Sequence, residues 1–305
     1  MGSGRWSAAD WTAYSSSHVV GKPTAAVFAS AAMKAPYDPA QVSVRESRDS
    51  ADNPASTPII LAADVTGSMG RVADALMRDG LNTLATEIYD RRPVSDPHIM
   101  VMAVGDAECD RAPLQVTQFE ADIRLADQVR DLWLERGGGP NAGESYMLPH
   151  LFAAKKTVSD AWEKRRRKGY LFTIGDEPTL ESVTADQAAR FLGIQIPRDL
   201  PVQECIDMAS ERFEVFHVVV SERIGNGLRL DHILGQWNRL LPQRVIVLND
   251  HTKIAETVVS AIQVTEGASK ADVAASWGGG TAMVVAEAVR ALRETGGAGG
   301  VRRLA

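Results

Sequence analysis

The chain has 305 residues, 45% hydrophobic and 24% charged, which supplies a sizeable core and excludes a disordered tail. A formal net charge of −6 argues against a general nucleic-acid or anionic-membrane binder, which leans basic. Cys109 and Cys205 lack CxxC spacing, no stretch reaches the ~18 apolar residues of a membrane span, and the start MGSGRWSAAD is not a basic-then-apolar leader, so the expectation is a reduced cytoplasmic protein that partners neither nucleic acid nor membrane.

Residues 1–56 are rich in Ser, Ala, Pro and Asp, and RESRDSADNPASTP reads as a linker or surface loop, so 1–56 is taken as an N-terminal extension. From Pro58 the texture changes. PIILAAD (58–64) is a short apolar run that ends in an acid, the pattern of a buried parallel strand with function at its C-terminal end. Apolar residues from Met69 to Tyr89 then recur at spacings of three to five, predicting one amphipathic helix of about five turns. HIMVMAV (98–104) predicts a second strand, LQVTQF (114–119) an edge strand, and 122–135 a helix.

A glycine loop, GGGPNAGES (137–145), precedes a helix expected over 144–166. Its end carries the basic run Lys164–Lys168, which reads as a solvated helix terminus facing the negative pole of the dipole. GYLFTIG (169–175) is a further buried strand ending in an acid, Asp176. Helices are expected at 184–192, 201–212, 229–241 and 252–264, and strands at 214–220 and 244–249. Residues 266–305 read as a C-terminal helix and a Gly-rich tail. Strands alternating with helices predict an α/β fold, doubly wound, with a mostly parallel sheet and helices on both faces. Its functional crevice belongs at the carboxyl ends of the strands.

Three loops at those ends carry the oxygen donors. DVTGSM offers Asp64, Thr66 and Ser68, GGGPNAGES offers Asn141, Glu144 and Ser145, and GDEP offers Asp176 and Glu177. Carboxylates and hydroxyls suit a hard cation, and Mg2+ prefers octahedral oxygen ligands; without Cys or His the set does not suit zinc. Alternate residues of an extended turn point the same way, so Asp64, Thr66 and Ser68 converge on one point. The competing reading makes Thr66 and Ser68 N-caps of the following helix and Asp176 a turn residue before Pro178. Asp106, after the second strand, reads equally as a turn residue or as a group behind the site. His217 lies in an apolar strand and reads as a core histidine. Trp133 and Trp162 read as core.

IILAADVTGSM resembles the strand and first loop of the metal-ion-dependent adhesion site, D-x-[ST]-x-S, of von Willebrand factor A domains. GGGPNAGES resembles the GGGD-x-PE loop of a bacterial and eukaryotic branch of that family, and YLFTIGDEP its fourth-strand motif. The resemblance covers residues 57–265. It implies that Asp64, Thr66 and Ser68 take the first-loop ligand positions and that Asp176 reaches the metal through water. The second loop departs from the pattern: Pro140 stands where Asp is usual, with one extra residue before Glu144, so Asn141 or Glu144 supplies the ligand there. The family's function is then implied: Mg2+, with Mn2+ or Ca2+ as alternatives, binds an Asp or Glu from a protein partner, without catalysis. Single-domain bacterial relatives work in cytoplasmic assemblies beside AAA+ ATPases.

Two rival readings stand beside it. DVTGS also resembles the nucleophile loop of haloacid-dehalogenase phosphatases, which would make Asp64 a nucleophile and Asp176 a metal holder. Thr66 stands where those enzymes need an acid, and a helix is predicted where they place a flap. The other rival is a structural subunit whose site binds no metal.

Overall fold

The apolar run Thr57–Asp64 forms a strand in the interior of the sheet, β1. The computed structural model describes residues 4–76, 80–135, 137, 143–224 and 227–294. After β1 come β2 (Pro97–Val104), β3 (Leu114–Val116), β4 (Gly169–Gly175), β5 (Phe213–Val220) and β6 (Val245–Leu248). They make a six-stranded sheet in the order β6-β5-β4-β1-β2-β3, parallel except for the antiparallel edge strand β3. β2 and β3 lie to one side of β1 and β4, β5 and β6 to the other, so the strand order reverses between β1 and β4.

Alternation along β1 sorts its side chains into two cores. Ile59, Leu61 and Ala63 join a cluster with Leu84 and Ile88 of helix α1 (Leu81–Arg91) and Val258 and Ile262 of α2 (Ile254–Thr265). Ile60 and Ala62 join another with Leu151 of the helix Met147–Lys156, Ile206 of Val202–Ser210 and Trp237 of Gly227–Leu240. All five of these β1 residues are at most 3% exposed. Burying an aliphatic side chain contributes about 1.5–3 kcal/mol, so this strand anchors both layers. Among the described residues no helix is long and apolar enough to cross a membrane.

Several local expectations change. The single helix expected over Met69–Tyr89 is a 3₁₀ turn at Gly67–Met69, a helix at Gly70–Ala75 and then α1, with Gly80, the weakest non-proline helix former, at the junction. The helix expected over 144–166 ends at Lys156. Thr157–Ser159 turn extended and pair in parallel with Arg45–Ser47, and a new helix, Asp160–Arg165, starts under a Ser159 cap that accepts from Trp162 N–H. β-Branched Thr157 and Val158 fit that pleated edge better than a helix. A helix at Lys270–Ala275, unforeseen in the sequence, precedes the one at Gly279–Val289.

The stretch read as linker is tied to the body. Trp6 and Trp11 stack at 5.6 Å and are buried, and Trp6 Nε1 donates to Pro97 O at 3.1 Å. The basic run is internally paired: Lys164 with Asp160, Arg165 with Asp49, Arg167 with Glu266, and Arg166 over the Trp162 ring. Trp133 and Trp162, expected in the core, are only half-buried. No disulfide joins Cys109, which is exposed, to Cys205, which is buried.

Candidate metal centre at the carboxyl rim of the sheet

Parallel register decides which acids meet. Ala63 stands beside Ile174 and Asp64 beside Val104. Asp64 at the end of β1, Asp106 just past β2 and Asp176 just past β4 therefore emerge on one rim, at the point where strand order reverses. Glu144 joins them through its backbone. Its N–H donates to Pro178 O at 3.0 Å, and its carbonyl accepts from Leu180 N–H at 3.2 Å, a bridge that ties Glu144 to the turn after β4. That turn is held in addition by Gln236, whose side chain accepts from Thr179 N–H (2.8 Å) and donates to Thr179 O (3.0 Å).

The first loop folds back on its own acid. Asp64 Oδ1 accepts from Thr66 N–H at 2.8 Å and from Thr66 Oγ1 at 2.7 Å. The Thr66 hydroxyl thus donates to its own loop acid, Asp64, and also lies within hydrogen-bond reach of Glu144. Asp64 Oδ2 accepts from Tyr146 Oη at 3.0 Å. Sequence reasoning missed Tyr146; an aromatic residue opening a helix reads as core packing. The signal that exposes it lies at Gly175, where a Cβ would stand 1.7 Å from Tyr146 Oη.

The acids are buried. Asp64 and Asp106 are fully buried, and Glu144 and Asp176 nearly so. One oxygen each of Asp106 (Oδ2) and Glu144 (Oε2) has no hydrogen-bond partner. Burial, followed by the charge of Asp176, pushes the Asp64 carboxyl up to about 7 against the pull of the Thr66 donors. Burial, followed by the charges of Asp64, Asp106 and Asp110, pushes Glu144 up to about 9. Burial and then the charges of Asp64, Glu144 and Asp176 hold the Tyr146 phenol far above its ordinary value, so it stays a neutral donor. The Tyr146 hydroxyl is thus within electrostatic reach of one acid from each of the three loops.

The remaining expected residues divide. Ser145 Oγ accepts from Ala107 N–H at 2.8 Å, tying the glycine loop to the turn after β2. Asp106 Oδ1 accepts from Glu108 N–H at 2.9 Å, the turn role, while its other oxygen stays unpartnered. Glu177 pairs with Arg229 and its carbonyl accepts from Trp237 Nε1. Asn141 and the Ser68 side chain lie outside the described residues. His217 is a core histidine, stacked on Trp237 at 3.5 Å. Among the described residues, the only trio of His, Cys, Asp or Glu with donor atoms all within 4.8 Å is Glu222, Asp250 and His251, past β5 and β6. No three of the described rim acids come that close together.

The donor chemistry fits a hard cation: oxygen only, mixed charged and neutral, with buried carboxylate oxygens that nothing else satisfies.

No family model matches the chain, and no curated protein matches it. Among solved structures it is similar to the pilus adhesin SpaC from Lactobacillus rhamnosus GG, at 10% identity in an open conformation (TM-score 0.44) and 9% in a second form (TM-score 0.45). Each match covers 69% of this chain, and 30% or 31% of the adhesin. It is also similar to proximal thread matrix protein 1 from the mussel byssus, at 11% identity over 68% of this chain and 47% of that one, with a TM-score of 0.41. The chain thus spans less than half the length of these structures.

Proposed function

We propose that the chain is a von Willebrand factor A-type module in a doubly wound α/β fold that holds one divalent cation, Mg2+ by preference, and binds an acidic side chain of a protein partner through it. The observation that carries this reading is the pair of unpartnered, buried carboxylate oxygens, Glu144 Oε2 and Asp106 Oδ2, beside the Asp64–Thr66 turn. Isolated buried carboxylates cost several kcal/mol, and a hard cation is a natural counter-charge for oxygens left without a donor. Asp64, Thr66 and Glu144 would hold the ion, with Ser68 and Asp176 in support. When bound, the cation supplies a Lewis-acidic position for an incoming carboxylate. The neutral hydroxyls of Thr66 and Ser68 would keep its charge incompletely neutralised. The reading extends to a cytoplasmic adaptor working beside an AAA+ ATPase, which rests on the family resemblance alone.

The test is calorimetry of the full chain with Mg2+, followed by capture of partners from the native host with and without EDTA. Wild type is expected to give saturable heat, and Asp64→Asn to lose roughly two orders of magnitude of affinity or more. Partners retained equally in EDTA would sink the adhesion reading. A phosphatase turnover that Asp64→Asn abolishes would replace it with the aspartyl-phosphate reading.

A further inference from the structure

We propose that Tyr146 is a positioning residue for Asp64: its hydroxyl, passing through the gap left by Gly175, selects the one carboxylate lone pair that faces a bound cation. This rests on the metal-binding reading above. A carboxylate has two oxygens and about four lone-pair sites. Thr66 N–H and Thr66 Oγ1 both bond Oδ1, at 2.8 and 2.7 Å, which fills that oxygen. Tyr146 Oη bonds Oδ2 at 3.0 Å and leaves it a single site. The Thr66 bonds are local to the turn and hold one end of the carboxylate. The Tyr146 bond comes from a different element, the start of the helix Met147–Lys156, and fixes the rotation of the other end.

The packing holds the hydroxyl to that task. Tyr146 is fully buried, with its ring edge-on to His217 (5.1 Å, 70°) and to Trp237 (5.6 Å, 66°). Ordinary core tyrosines do not run through the space of a neighbouring Cβ. Here a Cβ on residue 175 would lie 1.7 Å from Oη and 2.6 Å from Cζ, so the route to Asp64 exists only because β4 ends in glycine. Tyr146 thus packs against β4 and β5 while its hydroxyl bonds the acid at the end of β1, beside the switch in strand order. Donors that orient a metal-binding carboxylate typically change metal affinity 10–100-fold when removed.

The experiment titrates full-length wild type, Tyr146→Phe and Gly175→Ala with MgCl2 by calorimetry and records melting curves of each in EDTA. Tyr146→Phe is expected to bind Mg2+ about 10–100-fold more weakly while still melting cooperatively in EDTA. Gly175→Ala keeps the hydroxyl but displaces it, and is expected to weaken binding in the same direction. A purely structural contact would lower the melting temperature in EDTA and leave affinity unchanged. Tyr146→Phe affinity within about twofold of wild type therefore overturns the proposal. Should Tyr146→Phe fail to fold, undiminished affinity in Gly175→Ala overturns it in the same way. Wild type without saturable heat would instead remove the metal-binding reading, and this role with it.

Discussion

Asp49 and Asp64 flank the start and end of the same central strand, and their carboxylates have opposite surroundings. Burial pushes Asp49 up, but the Arg165 guanidinium at 2.7 Å and the hydroxyl and N–H of Ser56 outweigh it and leave the acid below the usual carboxylate range. Asp160, nearby, is held down in the same way by Lys164 and Arg48 against its own burial. Burial pushes Asp64 up as well, yet its partners are neutral donors and its charged neighbour is another acid. The leading influences on Asp64 and Glu144 are burial, the neutral donors Thr66 and Tyr146, and other acids. Burial alone thus does not decide the state of a carboxylate; the fixed cation does. A fixed cation, Arg165, stands at the linker end of the strand.

The largest expected effect on this contrast comes from pH. The folded Glu144 carboxyl sits near 9, above its unfolded value of about 4.3, so the folded state keeps a proton that the unfolded state has released. Its stabilising share is complete below about pH 4.3 and is lost as pH rises toward 9, at no more than about 1.4 kcal/mol per pH unit. Urea midpoints in EDTA are expected to fall from pH 6 to 9 in wild type, less so in Glu144→Gln, and to recover at pH 8 with Mg2+. Equal curves for wild type and Glu144→Gln would break the contrast. Asp49 has the opposite sign: its share is present above its unfolded value and is lost as pH falls through its depressed one.

A smaller effect is expected at the paired end. Asp49→Asn keeps the shape but removes the charge facing Arg165, and is expected to lower stability by about 1–3 kcal/mol at pH 7, read by urea denaturation. A loss below roughly 0.5 kcal/mol would mean that these pairs are ordinary surface contacts. The smallest effect sharpens the scale: Arg198 pairs with Glu204 at 2.8 Å with side chains 60% and 38% exposed, and Arg198→Ala is expected to move stability by less than about 0.5 kcal/mol.

Much of the sheet was legible because buried parallel strands announce themselves as apolar runs: 58–64, 98–104, 169–175 and 214–220 all appear within a residue of their expected places. The rim position of Asp64, Asp106 and Asp176 followed from those strand ends. What escaped was set by pairing across the chain. Thr157–Ser159 continue a helical pattern locally, and only Arg45–Ser47, in a stretch that reads as loop, pulls them extended. Tyr146 escaped for the same reason. Its meaning depends on a missing Cβ on another strand, and no spacing within the glycine loop carries that information.

The bridge between Glu144 and the turn after β4 has a mechanical consequence. Pro178 O, Leu180 N–H, both ends of Thr179 and Glu177 O are all engaged, by Glu144 on one side and by Gln236 and Trp237 on the other. Two turns that could flutter separately are riveted into a plate, with the helix Gly227–Leu240 as its stiffener. Loosening this turn would require the bonds from Glu144, Gln236 and Trp237 to break together.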